Sequence, residues 1–322
     1  MKNRCLCCYK ELENDELNYH PGCAAKLFGS RKAPFLPYNR SNIEDLALKI
    51  IERSTSITGV QPKIALDINR GGKNEPDKLT IVGLWGNYIL KPQSSSYNCM
   101  PEVEDLTMSL AEICGIETVK HGLIRMNDGE LAYITRRVDR GENGEKRSML
   151  DMCQLSNRLT EHKYMGSYLQ LADTIKKYSV SSMLDVQRFW EIVLFSWITG
   201  NSDMHCKNFS LLNSNIGYRL SPAYDLISVR LVLDKDHDEL AMPLIGAGKM
   251  NNEIIEGFSK YNFVEAMVLS GIKESVANKL IHNMTLNKDK WFERIDISFL
   301  TPDLKANYKA LITERVGKLI HE

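Results

Sequence analysis

Residues 200–225 carry a closely spaced set of polar side chains that could do chemistry. The segment GNSDMHCKNFSLL contains Asp203 and, five positions later, Asn208, and a further carboxylate, Asp225, follows in SPAYDLIS. Phosphoryl transfer needs a carboxylate that accepts or orients the substrate hydroxyl, and a second carboxylate and an amide that hold Mg²⁺. Any one of these residues alone is more typical of a capping loop after a helix, whereas the linked set favours phosphoryl transfer.

A lysine that could hold nucleotide phosphates ends the apolar run NYILK. Lys91 on an otherwise buried strand is unfavourable unless it meets an anion, and an edge-strand lysine that faces water is the ordinary alternative. Glu104, in the next predicted helix, is expected to pair with Lys91, as a Lys–Glu pair does in protein kinases. Glu102 lies on a different helical face and is the second choice.

The segment SITGVQPK, residues 56–63, is the candidate phosphate-covering loop. Ser56, Thr58 and the backbone N–H groups around Gly59 would line a phosphate, and Lys63 adds positive charge. A single glycine is equally consistent with an ordinary turn. The position of the segment before the first predicted strand favours the phosphate loop.

Two regions of different predicted secondary structure must position these residues. Between residues 56 and 140, short apolar runs and turn signals predict strands with one inserted helix, EVEDLTMSLAEICGI, that ends at Gly115. Hairpins are expected at Gly86-Asn87 and at residues 127–129, Asn-Asp-Gly. After residue 140 the pattern is mostly helical, interrupted by a strand-rich stretch that leads to Asp225.

Composition and charge exclude several functional classes. The 322 residues include 41 basic and 41 acidic side chains, so the net charge is zero and strong non-specific nucleic-acid binding is not expected. No run of eighteen apolar residues is present and the N-terminus has no apolar signal segment, so neither a membrane span nor export is expected. A cytoplasmic location with reduced thiols follows.

Four of the eight cysteines fall in the first 23 residues. Cys5-x2-Cys8 and His20-x2-Cys23 have the spacing of a Cys₃His zinc site, and Cys7 competes with Cys8 at a poorer spacing. The segment is small and has too little apolar content for a core of its own. A structural Zn²⁺ would therefore supply its folding energy. Metal loss should loosen this segment and leave the nucleotide site formed. The alternative is a set of free thiols in a reducing cytosol.

The motifs SITGVQPK, YILKPQ, GNSDMHCKNFSLL and SPAYDLIS, in this relative order, resemble the HipA family of serine/threonine protein kinases over most of the chain. The resemblance implies a bilobal, protein-kinase-like α+β fold with a small β-rich N-lobe and a larger α-helical C-lobe. The expected organisation is a zinc-binding segment, a linker with a helix, the N-lobe and the C-lobe, over residues 1–29, 30–55, 56–140 and 141–322.

The resemblance also implies roles for the main polar residues. Asp203 would be the catalytic base, Asn208 and Asp225 would hold Mg²⁺, and Lys91 would contact the ATP phosphates, with Lys63 as a further contact.

Further roles follow from the same resemblance. The backbone from Arg136 to Val138 would form the adenine-binding hinge, although the family usually has an aromatic residue where this chain has Val138. His205 and Lys207 would shape the catalytic loop and contact phosphate. Autophosphorylation that lowers activity is expected at Ser56, with Thr58 as the alternative acceptor.

The implied function is that of a toxin kinase in a type II toxin–antitoxin pair. Its partner would be a HipB-like helix-turn-helix antitoxin, through which nucleic acid is contacted indirectly, and its substrate a translation factor such as an aminoacyl-tRNA synthetase, with translation arrest and persistence as the outcome. Longer members carry a further subdomain of roughly a hundred residues, and a separate small protein would replace it here. The alternatives are a catalytically silent kinase-fold partner of a DNA-binding antitoxin and a small-molecule kinase.

Overall fold

The computed structural model describes residues 3–13, 16–43, 63–72, 75–82, 85–141, 144–233, 238–246 and 257–320. Contacts group the chain into a first compact unit of residues 1–106, 119–140 and 297–300, and a second unit of residues 107–118, 141–296 and 301–322. The cysteine-rich segment therefore falls in the same unit as the first strands, and the four predicted segment boundaries stay predictions. Among the described residues, no helix combines the length and the apolar character needed to cross a membrane.

The first unit is built on a five-stranded antiparallel sheet. Its strands are β1 (Ile64–Asn69), β2 (Lys78–Ile81), β3 (Tyr88–Lys91), β4 (His121–Arg125) and β5 (Leu131–Arg136), in the order β2-β1-β3-β5-β4. Apolar residues alternate along β1, where Ile64 and Leu66 are buried, as expected for a strand with one face toward a core. The sheet places Lys91 at the end of a central strand.

The two predicted hairpins have different outcomes. The hairpin at residues 127–129 is confirmed, since β4 and β5 pair antiparallel around Gly129, whose φ is +89°. The hairpin at Gly86-Asn87 is wrong, because β2 and β3 both pair with β1 and not with each other. Gly86 instead allows a close approach to β1: a Cβ there would lie 2.6 Å from the carbonyl oxygen of Leu66.

The cysteine-rich segment packs onto this sheet. Its helix α1 (Pro21–Phe28) has proline in its first turn and ends at Gly29, in the left-handed conformation. Leu6, Tyr19 and Leu27 are buried in one cluster with apolar residues of β1, β3, β4 and β5. The segment therefore shares its core with the sheet and is not a separate appendage.

The inserted helix is confirmed as α2 (Met100–Ile113), and Gly115 follows it with φ +87°. Its first residues, through Leu106, belong to the first unit, and the rest belongs to the second. The helix thus carries Glu104 within the first unit.

The second unit is mostly helical, with a three-stranded antiparallel sheet in the order β6-β7-β8. Its elements are β6 (Met149–Asp151), α3 (Met152–Leu155), α4 (Tyr168–Tyr178), α5 (Ser182–Thr199), β7 (Ser210–Ser214), β8 (Gly217–Leu220), α6 (Val229–Val232), α7 (Lys260–Leu269), α8 (Glu274–Thr285), α9 (Lys288–Asp296) and α10 (Pro302–Ile320). Helix α5 is buried over most of its length and ends at Gly200, whose φ is +73°. This positive φ favours glycine where the candidate loop begins, and a Cβ there would also lie 2.7 Å from Leu311 Cδ2 and 3.0 Å from Arg230 Cβ.

Candidate active site

The expected partner of Lys91 is present in the first unit. Lys91 Nζ lies 2.5 Å from Glu104 Oε1, and both residues are buried, at 5% and 1% exposure. Glu102 does not make this contact; burial raises the pKa of its carboxyl group to about 6. The pair places a buried positive charge at the end of β3, where burial without a carboxylate partner would be unfavourable.

A chain of polar and aromatic contacts extends from the Lys91 pair to the cysteine-rich segment. Lys91 Nζ lies 5.5 Å from the centre of the Tyr133 ring, on which the His121 ring stacks at 6.1 Å. His121 Nδ1 lies 2.6 Å from Asp105 Oδ1, and Tyr9 donates a hydrogen bond to Asp105 Oδ2 at 2.5 Å. Asp105 follows Glu104 directly on α2, so the cysteine-rich segment contacts the helix that carries the lysine's partner.

The segment expected to bind adenine is a turn after β5. The Arg136 amide donates to the carbonyl of Lys120 at 2.8 Å. Arg137 then binds Asp139 through two hydrogen bonds of 2.9 and 2.8 Å, which span half-buried Val138. The bidentate ion pair fixes the turn around Val138.

The loop that follows α5 holds the candidate base. The Asp203 amide donates to Asn201 Oδ1 at 3.3 Å, and the Asp203 carbonyl accepts from Asn208 Nδ2 at 2.9 Å and from the His205 amide at 2.8 Å. Because the Asn208 amide nitrogen is used inside the loop, its carbonyl oxygen is the atom left for a cation. The structure thus brings Asp203 and Asn208 together on one fixed turn.

A tyrosine that the sequence analysis gave no role contacts the candidate base. Tyr164 Oη donates to Asp203 Oδ1 at 2.6 Å, and its ring meets His205 edge-on at 5.1 Å between ring centres. Its 39-residue separation from Asp203 provides no local spacing signal.

His205 and Lys207, expected near phosphate, have different surroundings. His205 is buried, and desolvation lowers the pKa of its imidazole, which favours the neutral ring. Lys207 Nζ lies 2.8 Å from Asp151 Oδ2, at the start of α3. Lys207 is therefore held by a carboxylate, a second contact that the sequence analysis did not identify.

Asp225 follows the β7–β8 hairpin and lies in the left-handed region, with φ +54°. This conformation is rare for residues other than glycine and is often found at functional sites. The neighbouring Tyr224 hydroxyl lies 2.9 Å from the carbonyl oxygen of Lys207 and 2.6 Å from Ser210 Oγ. This contact ties the segment of Asp225 to the loop that carries Asn208, so oxygen donors that Mg²⁺ prefers are held on connected segments.

The predicted phosphate loop is only partly within the described structure. Ser56, Thr58 and Gly59 lie outside the described residues. Lys63, exposed, directly precedes β1.

The four predicted zinc ligands lie together. The ligand atoms of Cys5, Cys8, His20 and Cys23 are all within 4.8 Å of one another. Cys7 is directed instead toward the carbonyl of His121, at 4.0 Å, and burial raises the pKa of its thiol. The preference for Cys8 over Cys7 thus agrees with the geometry.

The orientation of His20 also fits a metal ligand. Its Nε2 lies 3.0 Å from the carbonyl oxygen of Glu11, which requires Nε2 to be the protonated nitrogen. Its Nδ1, 3.3 Å from Cys8 Sγ, then has a lone pair toward the cluster. The hydrogen bond between Cys5 and Cys8 lowers the pKa of Cys5, which favours a thiolate there, and raises the pKa of Cys8. Three sulfurs and one imidazole nitrogen are a donor set that Zn²⁺ accepts in tetrahedral geometry.

Comparison with known proteins places this site in a family. Residues 55–291 match the model of the HipA-like C-terminal domain. A Haemophilus influenzae protein named "Putative kinase" is 26% identical over 288 residues, which cover 83% of this chain and 82% of that protein. The serine/threonine-protein kinase toxin HipA of Shewanella oneidensis is 27% identical over 207 residues, 59% of this chain but only 46% of that protein.

Solved structures share the fold. A chain in the complex of Shewanella oneidensis HipA, HipB and operator DNA matches with a TM-score of 0.68 at 21% identity, covering 90% of this chain and 73% of that chain. The Helicobacter pylori proinflammatory kinase CtkA matches with a TM-score of 0.52 at 14% identity, covering 73% of this chain and 88% of that chain. The predicted HipA-like, protein-kinase-like α+β fold is confirmed.

Proposed function

Because the chain belongs to the family of HipA-like C-terminal domains, we propose that it is an ATP- and Mg²⁺-dependent serine/threonine protein kinase. The observation that carries the proposal is the loop of residues 200–208, where Asp203 and Asn208 are fixed on one turn by the 2.9 Å hydrogen bond between them. The buried pair of Lys91 and Glu104 supports the same reading, since an ammonium held this way is suited to anionic phosphates.

Each residue then has a role in the transfer. Asp203 accepts the proton of a substrate serine or threonine hydroxyl as that oxygen attacks the γ-phosphorus, the bond to the β-phosphate oxygen breaks and ADP leaves. Lys91 contacts the phosphates, and Asn208 and Asp225 supply the oxygen ligands for Mg²⁺. When bound, Mg²⁺ supplies positive charge that neutralises the phosphates.

Replacement of Asp203 by Asn tests the proposal. Incorporation of labelled γ-phosphate from ATP into the protein itself or into dephosphorylated casein should fall about 10²- to 10⁴-fold, the usual contribution of a general base, while ATP binding persists. Asp173→Asn, which changes an exposed carboxylate paired with Lys176 on α4, is the matched control and should keep the wild-type rate. An Asp203→Asn protein with full activity would contradict the assignment.

The same assay separates the alternatives. Formation of ADP that depends on Asp203 but labels no protein would point to a small-molecule kinase. Absence of any transfer by the wild-type protein would favour a catalytically silent partner of a DNA-binding antitoxin.

The biological role proposed is that of a toxin opposed by a helix-turn-helix antitoxin. Its support is the relationship to a HipA toxin and the fold shared with a chain of a HipA–HipB–DNA complex. The proposed substrate is an aminoacyl-tRNA synthetase. Expression of the wild-type chain should arrest growth, Asp203→Asn should not, and host synthetases incubated with the active protein should become phosphorylated; equal growth with both proteins would contradict the toxin role.

Autophosphorylation at Ser56, with Thr58 as the alternative acceptor, is proposed from the family resemblance alone. A phosphate adds about −1.5 to −2 charges at neutral pH, which would repel bound nucleotide phosphates and lower activity. Mass spectrometry should find phosphate on this loop in the wild-type protein and not in Asp203→Asn. Phosphate on the inactive form, made without another kinase, would rule out self-modification.

The cysteine-rich cluster is proposed to hold one structural Zn²⁺ through Cys5, Cys8, His20 and Cys23. The four converging ligand atoms support this assignment. Elemental analysis of the purified protein should find about one Zn²⁺ per chain. Cys8→Ser should lose it and Cys99→Ser, a half-buried cysteine outside the cluster, should retain it; zinc at background level in the wild-type protein would contradict the site.

A further inference from the structure

Tyr164 makes the one side-chain hydrogen bond to the Asp203 carboxylate within the described part of the second unit. Its hydroxyl donates to Oδ1 at 2.6 Å, and its ring edge rests against His205. Burial and the hydrogen bond to Asp203 raise the pKa of Tyr164, so the hydroxyl keeps its proton and acts as the donor. One carboxylate oxygen therefore accepts a hydrogen bond from a protonated phenol.

The chain around Tyr164 is anchored on both sides. The amide of Cys206, in the same loop as Asp203, donates to the carbonyl of Lys163 at 3.1 Å. On the other side, the Arg158 guanidinium donates to the carbonyl of Met165 and, at 2.9 Å, to Gln170 Oε1. These contacts hold the backbone on both sides of Tyr164, while its ring, 47% exposed, is contacted by His205 and by Lys163 Nζ, 4.9 Å from the ring centre.

The next residue, Gly166, shows how closely this anchor is packed. Its φ is +93°, and a Cβ there would lie 2.6 Å from both Arg158 Nη1 and Gln170 Oε1. The positive φ favours glycine in the turn after Tyr164, and the guanidinium that binds Met165 packs against this glycine.

The second carboxylate oxygen of Asp203 is in a different position. In the described ranges, Oδ2 accepts no protein hydrogen bond, and Asp203 is half-buried rather than enclosed. A carboxylate with one oxygen hydrogen-bonded to the phenol has its side-chain rotation restricted, which leaves Oδ2 directed away from the donor.

We propose that Tyr164 is a positioning residue for Asp203: it holds Oδ1 and thereby presents Oδ2 to the substrate hydroxyl. The inference rests on the proposed kinase function and deepens it. Tyr164 touches neither substrate nor phosphate in this role and acts only through the carboxylate.

The test is Tyr164→Phe, which removes the hydroxyl and keeps the ring that contacts His205. With labelled ATP and dephosphorylated casein, kcat should fall about 10- to 100-fold, as for a misplaced catalytic group, whereas KM for ATP and the melting temperature should stay at wild-type values. Tyr261→Phe, the same change at a residue that is 69% exposed, should leave all three unchanged. A structural role would lower the melting temperature instead of selectively lowering kcat.

The double variant Tyr164→Phe/Asp203→Asn separates action through Asp203 from independent action. It should transfer phosphate at the rate of Asp203→Asn alone, because the proposed effect of the hydroxyl is exerted on that carboxylate. A further drop in the double variant would overturn the proposal.

The remaining outcomes distinguish this inference from the function on which it rests. If the wild-type protein transfers phosphate and Asp203→Asn does not, a wild-type or increased kcat in Tyr164→Phe overturns only the role of Tyr164. An increase would mean that the phenol blocks the base. If wild-type and Asp203→Asn are equally inactive, the kinase assignment falls, and the positioning role falls with it.

Discussion

The cysteine-rich cluster and the loop of residues 200–208 are both closely spaced polar sets on tight turns, yet their functional atoms are arranged in opposite ways. In the cluster, all four ligand atoms converge within 4.8 Å. In the loop, Asn208 Nδ2 donates to the Asp203 carbonyl and Asp203 Oδ1 accepts from Tyr164, so one oxygen of each side chain lies outside these hydrogen bonds. Converging donor atoms suit a bound metal ion. Side chains that use one atom in a hydrogen bond keep another atom for contact with a substrate or a cation.

The surroundings of the cysteine-rich cluster and of the loop of residues 200–208 also differ. The cysteine-rich segment shares its core with the sheet, and the Leu123 amide of β4 donates to the carbonyl of Leu6 at 2.9 Å. The candidate loop depends on the end of α5 and on backbone contacts that do not use the Asp203 carboxylate. Loss of the cluster should therefore affect folding, and loss of the Asp203 charge should affect chemistry.

Removal of metal is expected to have the largest effect. It tests most directly whether the cysteine-rich cluster contributes to folding. Structural Zn²⁺ contributes on the order of 10 kcal/mol in small zinc domains, so chelation should lower the stability of the first unit by several kcal/mol. Hydrogen exchange should show faster exchange at β4, including the Leu123 amide.

This expectation differs from the one drawn from sequence, in which only the cysteine-rich segment loosens. The reason is the shared core and the contact of Tyr9 with Asp105, beside Glu104. Chelated Asp203→Asn protein should be destabilised as much as chelated wild type. Unchanged protection of β4 after complete metal loss would show that the segment is independent of the sheet.

Tyr9→Phe tests the connection between the two parts of the first unit. It removes the donor to Asp105 Oδ2 and leaves a buried carboxylate with one fewer partner. The expected loss in unfolding free energy is about 1–3 kcal/mol, measured by urea denaturation of the zinc-loaded protein. Tyr178→Phe, at an exposed tyrosine on α4, should be neutral; an equally small effect of both changes would remove Tyr9 from the connection.

Asp225→Asn tests the proposed Mg²⁺ ligands of the second unit. Loss of a charged oxygen ligand should weaken ATP binding about tenfold, or about 1.4 kcal/mol, in the presence of Mg²⁺, and should leave binding without Mg²⁺ unchanged. Isothermal titration calorimetry with and without Mg²⁺ measures both. The positive φ of Asp225 is compatible with Asn, which tolerates this conformation well, so folding should be retained. Equal weakening in both conditions would argue against a metal ligand.

Sequence reasoning succeeded where contacts are local and failed where partners are distant. The cysteine spacing, the helix of Glu104 and the β4–β5 hairpin are local patterns, and the structure confirms the geometry that they predict. The pairing of β2 with β1 rather than β3 depends on competition among strands. Tyr164 and Asp203 are 39 residues apart and Lys207 and Asp151 are 56 apart, so no spacing rule identifies them.

Glu102→Gln should have the smallest effect. It compares two carboxylates of α2 in the first unit, Glu102 and Glu104. Glu102 Oε2 is buried and has no hydrogen-bond partner in the described ranges, unlike the neighbouring Glu104, and burial raises its pKa from 4.5 to about 6. The folded state therefore favours the protonated carboxyl, and wild-type stability falls as the pH rises from about 4.5 through about 6. Glutamine stays neutral, so the unfolding free energy of the variant should match that of wild type at acidic pH and exceed it by about 1 kcal/mol above neutrality. This value is reduced from the full shift because Glu102 is half-buried.

Urea denaturation across this pH range measures the difference, and Glu161→Gln, at an exposed residue, should follow the wild-type profile. A constant difference at every pH would mean that packing, rather than the carboxylate charge, separates the two proteins.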